Sequence, residues 1–400
     1  MHADIFCKRV DNYGDIGVCW RLARRLRQAA GWRIRLWIDD LGAFARMAPD
    51  CDPARAMQEI GGVEIIHWTP EPARLMPGDV VIEAFACDPP EDFRAAMRAR
   101  RPVWINLEYL SAEPWVESCH KLPSPQPDGL MKYFFFPGFT PATGGLLREP
   151  DIAARRDGFQ RDSETRRAFL AACGVPEIVL DRWQAPSIED TGGDGRACRG
   201  RARLATLFCY PTAPLDALLA ALRTDVTPTV LLVPEGVAPG LASRSAGLAG
   251  HGGMACENLD GAFSHVEIIR IPFLSQDDYD RLLWCADINF VRGEDSLVRG
   301  SWAARPLVWQ IYPQSEDVHL DKLDAWLDRY LAPREAQDLI RLWNTEAAPA
   351  AMAQAWRQAT APGPFQAWTG RARSWDAELA AMPELADELA EFCAEIRRKC

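Results

Sequence analysis

The chain has 400 residues, enough for two domains, and its formal net charge is −11. A surface this acidic argues against broad binding to nucleic-acid phosphates, which requires basic stripes. Hydrophobic residues make up 48% of the chain and charged residues 25%, as in ordinary globular proteins, and no run of about 18 apolar residues predicts a membrane span.

The 12 cysteines are scattered along the chain, and no C-x-x-C pair occurs. The six histidines are too dispersed to complete a zinc pattern. Many cysteines lie in apolar, strand-like runs, which favours buried free thiols in a reducing compartment. The first residues lack the basic region and apolar core of a signal peptide, so we expect a cytoplasmic protein.

The first 150 residues alternate between strand-like and helix-like segments, a pattern typical of parallel strands in an open, doubly wound α/β sheet. Apolar periodicity predicts strands at 3–8, 32–38, 63–68, 79–85 and 102–108, with helices at 15–30 and 90–101.

The alternation stops at a stretch rich in glycine and charge, between about 184 and 203, and then restarts. Strands are predicted at 204–210, 229–234, 265–273, 286–291 and 306–312, with a helix at 213–223, a loop at 236–253 and helices from about 317 onward. We therefore expect an N-terminal lobe (1–180), a linker (181–203), a C-terminal lobe (204–330), and final helices (331–400) that partly pack back on the first lobe. Two open α/β lobes suit a ligand bound between the carboxyl ends of their strands.

The segment "FVRGEDSLVRG" (290–300) predicts an anion site. A strand ends at Val291, a four-residue loop "RGED" follows, and a helix begins near Ser296, whose free N–H groups suit a diphosphate. Arg292 adds positive charge and several donors. Glu294 and Asp295 either accept hydrogen bonds from a sugar hydroxyl or only favour the helix start by their charge, and the pattern leaves both interpretations open.

Aromatic residues and a glutamine cluster near two other predicted strand ends in the second lobe. Aromatic faces stack on nucleobases, and glutamine pairs with base edges, although aromatics at strand ends also belong to cores. The Asp-x-Asp of "DDYD" (277–280) opens a helix, where acids are expected, so it does not indicate a metal site. The candidate residues are Phe208, Tyr210, Phe273, Gln276 and Tyr279.

The segment "RVDNYGDIGVCW" (9–20) places Asp11 and Asp15 where a strand gives way to a helix. Carboxylates there repel phosphate, but they suit a cationic nucleophile such as an arginine guanidinium, from which one of them would take a proton. Alternatively, Asp15 caps the helix and Asp11 forms a turn.

Eight segments resemble the bacterial protein-arginine rhamnosyltransferases that modify elongation factor P, the EarP-type family. The resemblance runs from residue 5 to about 330, but leaves out 184–203 and 236–256. Its motifs are "DNYGDIGVCWRLARRL", "VIEAFACDPPE", "NLEYLSAE", "LPSPQ", "KYFFFPGF", "GGLLRE", "RGEDSLVR" and "WQIYPQSEDVHLDKLDAW".

This resemblance implies a GT-B architecture, in which two Rossmann-like lobes with parallel sheets face each other across a cleft. It implies transfer of L-rhamnose from dTDP-β-L-rhamnose to one arginine of elongation factor P, with inversion at the anomeric carbon. It implies no metal and no cofactor, and no nucleic-acid or membrane partner.

The resemblance also implies roles for individual residues. Asp15 is the general base, Asp11 supports the guanidinium, and Glu294 is a second essential acid. The residues expected near the sugar are Asn12, Tyr13 and Gly14. Those expected to hold the diphosphate and sugar are Arg292, Gly293, Asp295 and Ser296. Those expected to shape the thymidine and rhamnose pocket are Phe208, Tyr210, Phe273, Gln276 and Tyr279.

Three other functions compete with this hypothesis. A nicotinamide-dependent oxidoreductase would carry G-x-G-x-x-G after its first strand, and "DNYGDIGVCW" lacks the third glycine. A GT-B-like protein that only binds a sugar nucleotide has no need of Asp11, Asp15 and Glu294 together. A glycosyltransferase with a small-molecule acceptor stays open.

Overall fold

A computed structural model of the chain describes residues 1–11, 13–71, 74–185, 201–241 and 265–399. Asn12, most of the predicted linker and most of the loop predicted at 236–253 lie outside the described residues. Within those described ranges, no helix combines the length and the apolar character needed to cross a membrane.

The first half of the chain forms an eight-stranded sheet. Its strands are β1 (His2–Cys7), β2 (Arg33–Ile38), β3 (Met57–Ile60), β4 (Val63–His67), β5 (Val80–Ala84), β6 (Val103–Leu107), β7 (Pro123–Pro125) and β8 (Met131–Phe135). Their order is β3-β4-β2-β1-β5-β6-β8-β7, and the inner strands pair in parallel, as the strand–helix alternation predicts.

The two edges of this sheet differ from the predicted parallel pairing. Strands β3 and β4 form an antiparallel hairpin around Gly61 and Gly62, both with positive φ, the geometry of a tight hairpin turn. Strand β7, "PSP", pairs antiparallel with β8. Prolines are tolerated in a strand at an edge. The two edge strands, β3 and β7, are short and lack an apolar run, and the sequence analysis missed both. It also missed β8, which lies inside the sheet between β6 and β7.

Seven helices connect and follow these strands within the described part of the first 185 residues. They are α1 (Gly14–Ala30), α2 (Leu41–Met47), α3 (Glu91–Arg100), α4 (Trp115–Cys119), α5 (Ile152–Arg161), α6 (Ser163–Ala172) and α7 (Glu177–Gln184). Asp40 caps α2 by accepting a hydrogen bond from the N–H of Ala43 at 2.8 Å.

The described residues of the second half form a five-stranded sheet in the order β11-β10-β9-β12-β13, in which all pairs are parallel. The strands are β9 (Arg203–Leu207), β10 (Thr229–Pro234), β11 (Val266–Ile271), β12 (Ile288–Arg292) and β13 (Leu307–Gln310). In the part of this half that the structure describes, three helices accompany them: α8 (Leu215–Arg223), α9 (Gln276–Cys285) and α10 (Gly293–Trp302).

Helices make up most of the described chain after β13, as expected from about residue 317 onward. A 3₁₀ turn (Ser315–Asp317) leads into α11 (Val318–Tyr330), α12 (Arg334–Trp343), α13 (Pro349–Ala359), α14 (Pro362–Ala380) and α15 (Leu385–Lys399).

Packing divides these helices between two cores. Helix α15 returns to the first sheet, burying Leu385, Leu389 and Phe392 among its residues, while Glu384 just before it pairs with Arg25 at 3.3 Å. Helices α12–α14 join the second core. Helices α6 and α7 also pack on the second sheet, whereas the sequence assigned residues up to 180 to the first lobe. The exact lobe boundaries stay a prediction.

Candidate active site

Two adjoining cavities lie where loops after the strands of both sheets meet. We call one the aromatic cavity; among its lining residues are Tyr13, Phe208, Phe273, Gln276, Tyr279, Arg292, Asp295 and Ser296. We call the other the acidic cavity; among its lining residues are Asp15, Phe85, Tyr109, Gly293, Glu294, Tyr312, Gln314 and Lys322. Asp11 and Gly14 line both. The two cavities therefore share a wall, at the carboxyl ends of the strands.

The junction between β12 and α10 contains no loop. Arg292 is the last residue of β12 and α10 begins at Gly293, so the predicted "RGED" loop is wrong. Gly293 has φ +62°, which lets the chain turn from strand to helix within one residue. No side chain in the described part of the chain caps α10, and the first N–H groups of the helix are therefore available to an anion.

A methyl group at position 293 has no room. A Cβ there would lie 2.7 Å from Asp11 Oδ2 and 2.8 Å from Tyr210 Oη, on a backbone that disfavours side chains. We expect Gly293→Ala to lower the free energy of unfolding by about 1–3 kcal/mol, as measured by chemical denaturation. The control is Gly158→Ala, which meets no atom within 4 Å. Equal stability of the two variants would contradict this prediction.

Arg292 packs against aromatic rings at the carboxyl end of β12. Its guanidinium carbon lies 4.3 Å from the centroid of Phe208 and 4.9 Å from that of Tyr210. Its Nη1 donates to the carbonyl of Cys209 at 2.8 Å. A half-buried guanidinium oriented by stacking keeps further N–H donors for an anion in the aromatic cavity.

Residues of both lobes close the far side of the aromatic cavity. The ring of Phe273 packs on Tyr13 with centroids 4.9 Å apart. Arg46 lies 4.6 Å over the ring of Phe273 and donates to Tyr13 Oη at 3.1 Å. Helix α2 thus contributes Arg46 beside the cavity and Met47 to its lining, and the sequence analysis predicted neither.

Gln276 already bonds across the cleft. Its Nε2 donates to the carbonyl of Gly17 at 3.2 Å, and its Oε1 accepts from Arg24 Nη2 at 3.0 Å. The amide is buried at the start of α9, and Tyr279 lies one turn further along that helix. Pairing of Gln276 with a base therefore stays a prediction, and it would require a rearrangement of these bonds.

The acids of "DDYD" have arginine partners. Asp278 pairs with Arg281 at 2.8 Å, and Asp280 pairs with Arg299 at 2.8 Å. In the described ranges, no group of three or more histidine, cysteine or acidic side chains is arranged to hold a metal.

Asp295 belongs to a buried ion network that joins the lobes. Its Oδ1 accepts from Arg21 Nη1 of α1 at 3.1 Å and its Oδ2 from Arg299 Nε at 2.9 Å. Arg21 also holds Glu149 through two bonds of 2.9 and 2.8 Å. Burial alone would raise the pKa of Asp295, but Arg299 and Arg21 outweigh it and hold that pKa below its ordinary value.

Asp15 holds the loop that precedes α1. Its Oδ2 accepts from the N–H groups of Val10 and Asp11, both at 2.7 Å, so the alternative in which it caps the helix is not what the structure contains. The residue is 2% exposed. Burial raises the pKa of Asp15 above its ordinary value, although the two N–H bonds lower it.

Asp11 spans the shared wall. Its carbonyl accepts from the N–H of Gly14 at 2.7 Å, which is the predicted turn, and its Oδ2 accepts from Tyr210 Oη of the other lobe at 2.6 Å. Burial raises the pKa of Asp11, while the bond from Tyr210 and the charge of Arg292 lower it.

Glu294 lines the same cavity as Asp15 and has partners in two other elements. Its Oε1 accepts from Lys322 Nζ at 2.8 Å and its Oε2 from the N–H of Leu110 at 2.7 Å. Burial raises the pKa of Glu294, and Lys322 lowers it. Asp11, Asp15 and Glu294 therefore converge on one cavity, although Glu294 lies 279 positions after Asp15 and 283 after Asp11 in the chain.

The sequence analysis missed most of the residues that line the acidic cavity. Phe85, Tyr109, Gln314 and Lys322 lie within the motifs that carry the family resemblance, so a signal was present. Nothing in their spacing indicates that three separate segments meet at one cavity.

Comparisons with known proteins agree on one family. The model of a family described as "Elongation-Factor P (EF-P) rhamnosyltransferase EarP" matches residues 3–394. The "Protein-arginine rhamnosyltransferase" of Pseudomonas putida is 47% identical over 400 residues, 97% of each chain. A solved structure described as "Structural basis for EarP-mediated arginine glycosylation of translation elongation factor EF-P" matches with a TM-score of 0.61 and 32% identity, over 98% of this chain and 99% of that one.

A more distant likeness concerns the fold alone. The structure of Acinetobacter baumannii MurG matches with a TM-score of 0.54 at 12% identity, over 98% of this chain and 99% of the other. Together with the two facing sheets and the helical C-terminal region, these matches confirm the predicted GT-B architecture.

Proposed function

We propose that this chain, which belongs to the elongation factor P rhamnosyltransferase family, transfers L-rhamnose from dTDP-β-L-rhamnose to an arginine side chain of elongation factor P. The proposal rests on the observation that the aromatic cavity and the acidic cavity share a wall. A cavity lined by three carboxylates adjoins one that contains aromatic rings, a fixed guanidinium and an uncapped helix start.

The aromatic cavity suits the sugar nucleotide. Phe208, Phe273 and Tyr279 offer faces for the thymine ring. Arg292 and the first N–H groups of α10, from Gly293 onward, suit the diphosphate, and they would stabilise the negative charge that grows on it as it leaves. Ser296, buried in the first turns of α10, lines the same cavity and would complete the contacts to the diphosphate and sugar.

The acidic cavity suits the acceptor guanidinium, which stays protonated at neutral pH. Asp11 and Glu294 would orient this cation and concentrate its charge away from the attacking nitrogen. Asp15 would accept the proton. Tyr13 and Gly14 line the adjoining cavities beside this loop and would border the sugar.

The reaction then proceeds in one displacement. A guanidinium nitrogen attacks the anomeric carbon from the face opposite the diphosphate, through a state with oxocarbenium character. The new C–N bond forms as the bond from the anomeric carbon to the phosphate oxygen breaks, and dTDP leaves with the bonding electrons. Asp15 takes the proton that the nitrogen loses. Attack from the opposite face inverts the anomeric centre.

Mass spectrometry of the acceptor tests this function. The chain is incubated with dTDP-β-L-rhamnose and elongation factor P, with and without EDTA. We expect the factor to gain one deoxyhexose on an arginine, at a rate that EDTA leaves unchanged. Donor binding without any modification would favour a sugar-nucleotide-binding protein, and modification of free arginine but not of the factor would favour a small-molecule acceptor; either result contradicts the proposal.

Acid should inactivate the enzyme at a higher pH than ordinary carboxyl groups predict. Burial raises the pKa values of Asp15 and Glu294, and the mechanism requires both groups ionised. We expect kcat/KM to fall with decreasing pH through an apparent pKa above the ordinary value of an aspartate or glutamate side chain. An acid limb at or below the ordinary value would contradict this assignment.

The same shift has a consequence for stability. Between the unfolded and folded pKa values of Asp15 the folded state binds more protons, so this group makes the free energy of unfolding fall as pH rises through that window. Asp15→Asn should remove its share of that dependence, which denaturation at several pH values measures.

A further inference from the structure

The segment after β5 has an unusual backbone. Phe85, Ala86 and Asp88 have φ values of 59°, 54° and 48°, in the left-handed region that residues with a Cβ rarely adopt. Such backbone persists where neighbouring structure imposes it, and it concentrates at functional sites.

Neighbouring strand β6 imposes this conformation. The N–H of Phe85 donates to the carbonyl of Leu107 at 2.7 Å, and the N–H of Ala86 donates to Asn106 Oδ1 at 3.0 Å. Asn106 in turn donates to Glu108 Oε1 at 2.5 Å, which fixes its amide. The loop is therefore held by a chain of hydrogen bonds at the end of the sheet that faces the acidic cavity.

This conformation stacks two aromatic rings on each other beside the acidic cavity. The rings of Phe85 and Tyr109 stack with centroids 4.2 Å apart and planes 10° apart. Both side chains are half-buried and line the acidic cavity together with Asp15 and Glu294. Burial and the charges of Asp15 and Glu294 raise the pKa of Tyr109, so its hydroxyl stays protonated beside these acids.

A positively charged side chain of the protein already lies near these two rings. Lys322 Nζ is 5.9 Å from the centroid of Tyr109 and 2.8 Å from Glu294 Oε1. This arrangement combines an aromatic face with a carboxylate around one positive charge.

We infer that Phe85 and Tyr109 form a platform on which the acceptor guanidinium stacks while its edge faces Asp15 and Glu294. This inference rests on the proposed function and adds a basis for acceptor choice. A guanidinium is planar and weakly hydrated, so it stacks on an aromatic surface and presents several N–H groups along its edge. The compact, strongly hydrated ammonium of lysine offers no such plane.

The test measures the KM of each substrate separately in Phe85→Leu and Tyr109→Leu, which keep apolar bulk but remove one ring. We expect the KM for elongation factor P to rise by about 3- to 30-fold, while the KM for dTDP-rhamnose stays within about twofold. Tyr109→Phe keeps the ring and should retain the KM of the unaltered chain for the acceptor, even where loss of the hydroxyl lowers kcat.

Phe159→Leu is the matched control. Phe159 is also half-buried among aromatic rings, with Trp284 5.8 Å away, but it lines neither cavity. It should leave both KM values unchanged. Circular dichroism of each variant separates misfolding from a loss of acceptor binding.

Three results overturn the inference. One is an unchanged acceptor KM in both leucine variants when the unaltered chain transfers rhamnose; the proposed function then stands and the platform does not. The other two come from calorimetry: methylguanidine and methylammonium bind the unaltered chain equally, or Phe85→Leu binds methylguanidine as well as the unaltered chain does. The calorimetry needs no transfer, so it tests the platform even where the proposed function fails.

Discussion

Replacing Asp15 with asparagine is expected to lower kcat by about 10²- to 10⁴-fold while the dissociation constant for dTDP stays within about twofold. The amide cannot accept the proton that the attacking nitrogen loses. Asp15 Oδ2 accepts hydrogen bonds from the N–H groups of Val10 and Asp11, both at 2.7 Å. The carbonyl oxygen of asparagine can still accept both bonds, so the loop should keep its conformation.

Single-turnover rates and calorimetry with dTDP measure the two effects separately. Asp39→Asn is the control, since Asp39 also accepts a backbone N–H, that of Arg9 at 3.0 Å, but lines neither cavity. It should leave both quantities unchanged. Turnover of Asp15→Asn at the rate of the unaltered chain would remove Asp15 as the base.

Replacing Asp295 with alanine is expected to lower the free energy of unfolding by about 3 kcal/mol and to weaken dTDP binding. Arg21 and Arg299 are 0% and 1% exposed, and each would lose a carboxylate partner in a place that water does not reach. The variant would also free the start of α10 from α1, which the ion pair between Arg21 and Asp295 now joins.

Asp280→Ala separates these two effects. Asp280 pairs with the same Arg299 at 2.8 Å but lies outside the lining of both cavities. Both variants should lose stability in chemical denaturation, and only Asp295→Ala should lose affinity for dTDP in calorimetry. Equal dTDP affinity in the two variants would show that Asp295 acts only on stability.

The central strands and α1 could be predicted from the sequence because their apolar runs are long and regular. The observed strand β10 has the predicted bounds, 229–234, and α1 begins one residue before the predicted start. The candidate residues could be predicted because they follow strand ends, and parallel sheets gather such loops at one edge. All of them except Asn12, which is not described, line one cavity or the other or, for Tyr210, bond to a residue that does.

The features that the sequence analysis did not predict depend on tertiary contacts. The partners of Asp295 are Arg21, on the other lobe, and Arg299, one helical turn away, and local patterning does not reveal the first of them. The direct turn from β12 to α10 depends on a positive φ at Gly293, which the sequence permits but does not require. Helices α6 and α7 follow the first sheet in the chain but pack on the second, and amphipathic spacing does not identify the sheet that covers an apolar face.

A crystal structure of Asp15→Asn with dTDP-β-L-rhamnose and elongation factor P would test the shared wall most directly. We expect the thymidine and diphosphate in the aromatic cavity, with the diphosphate at Arg292 and the start of α10. The anomeric carbon should lie beside Gly293, with an arginine of the factor reaching it from the side of residues 15 and 294. A diphosphate in the acidic cavity, or an arginine that approaches the sugar from elsewhere, would contradict the account.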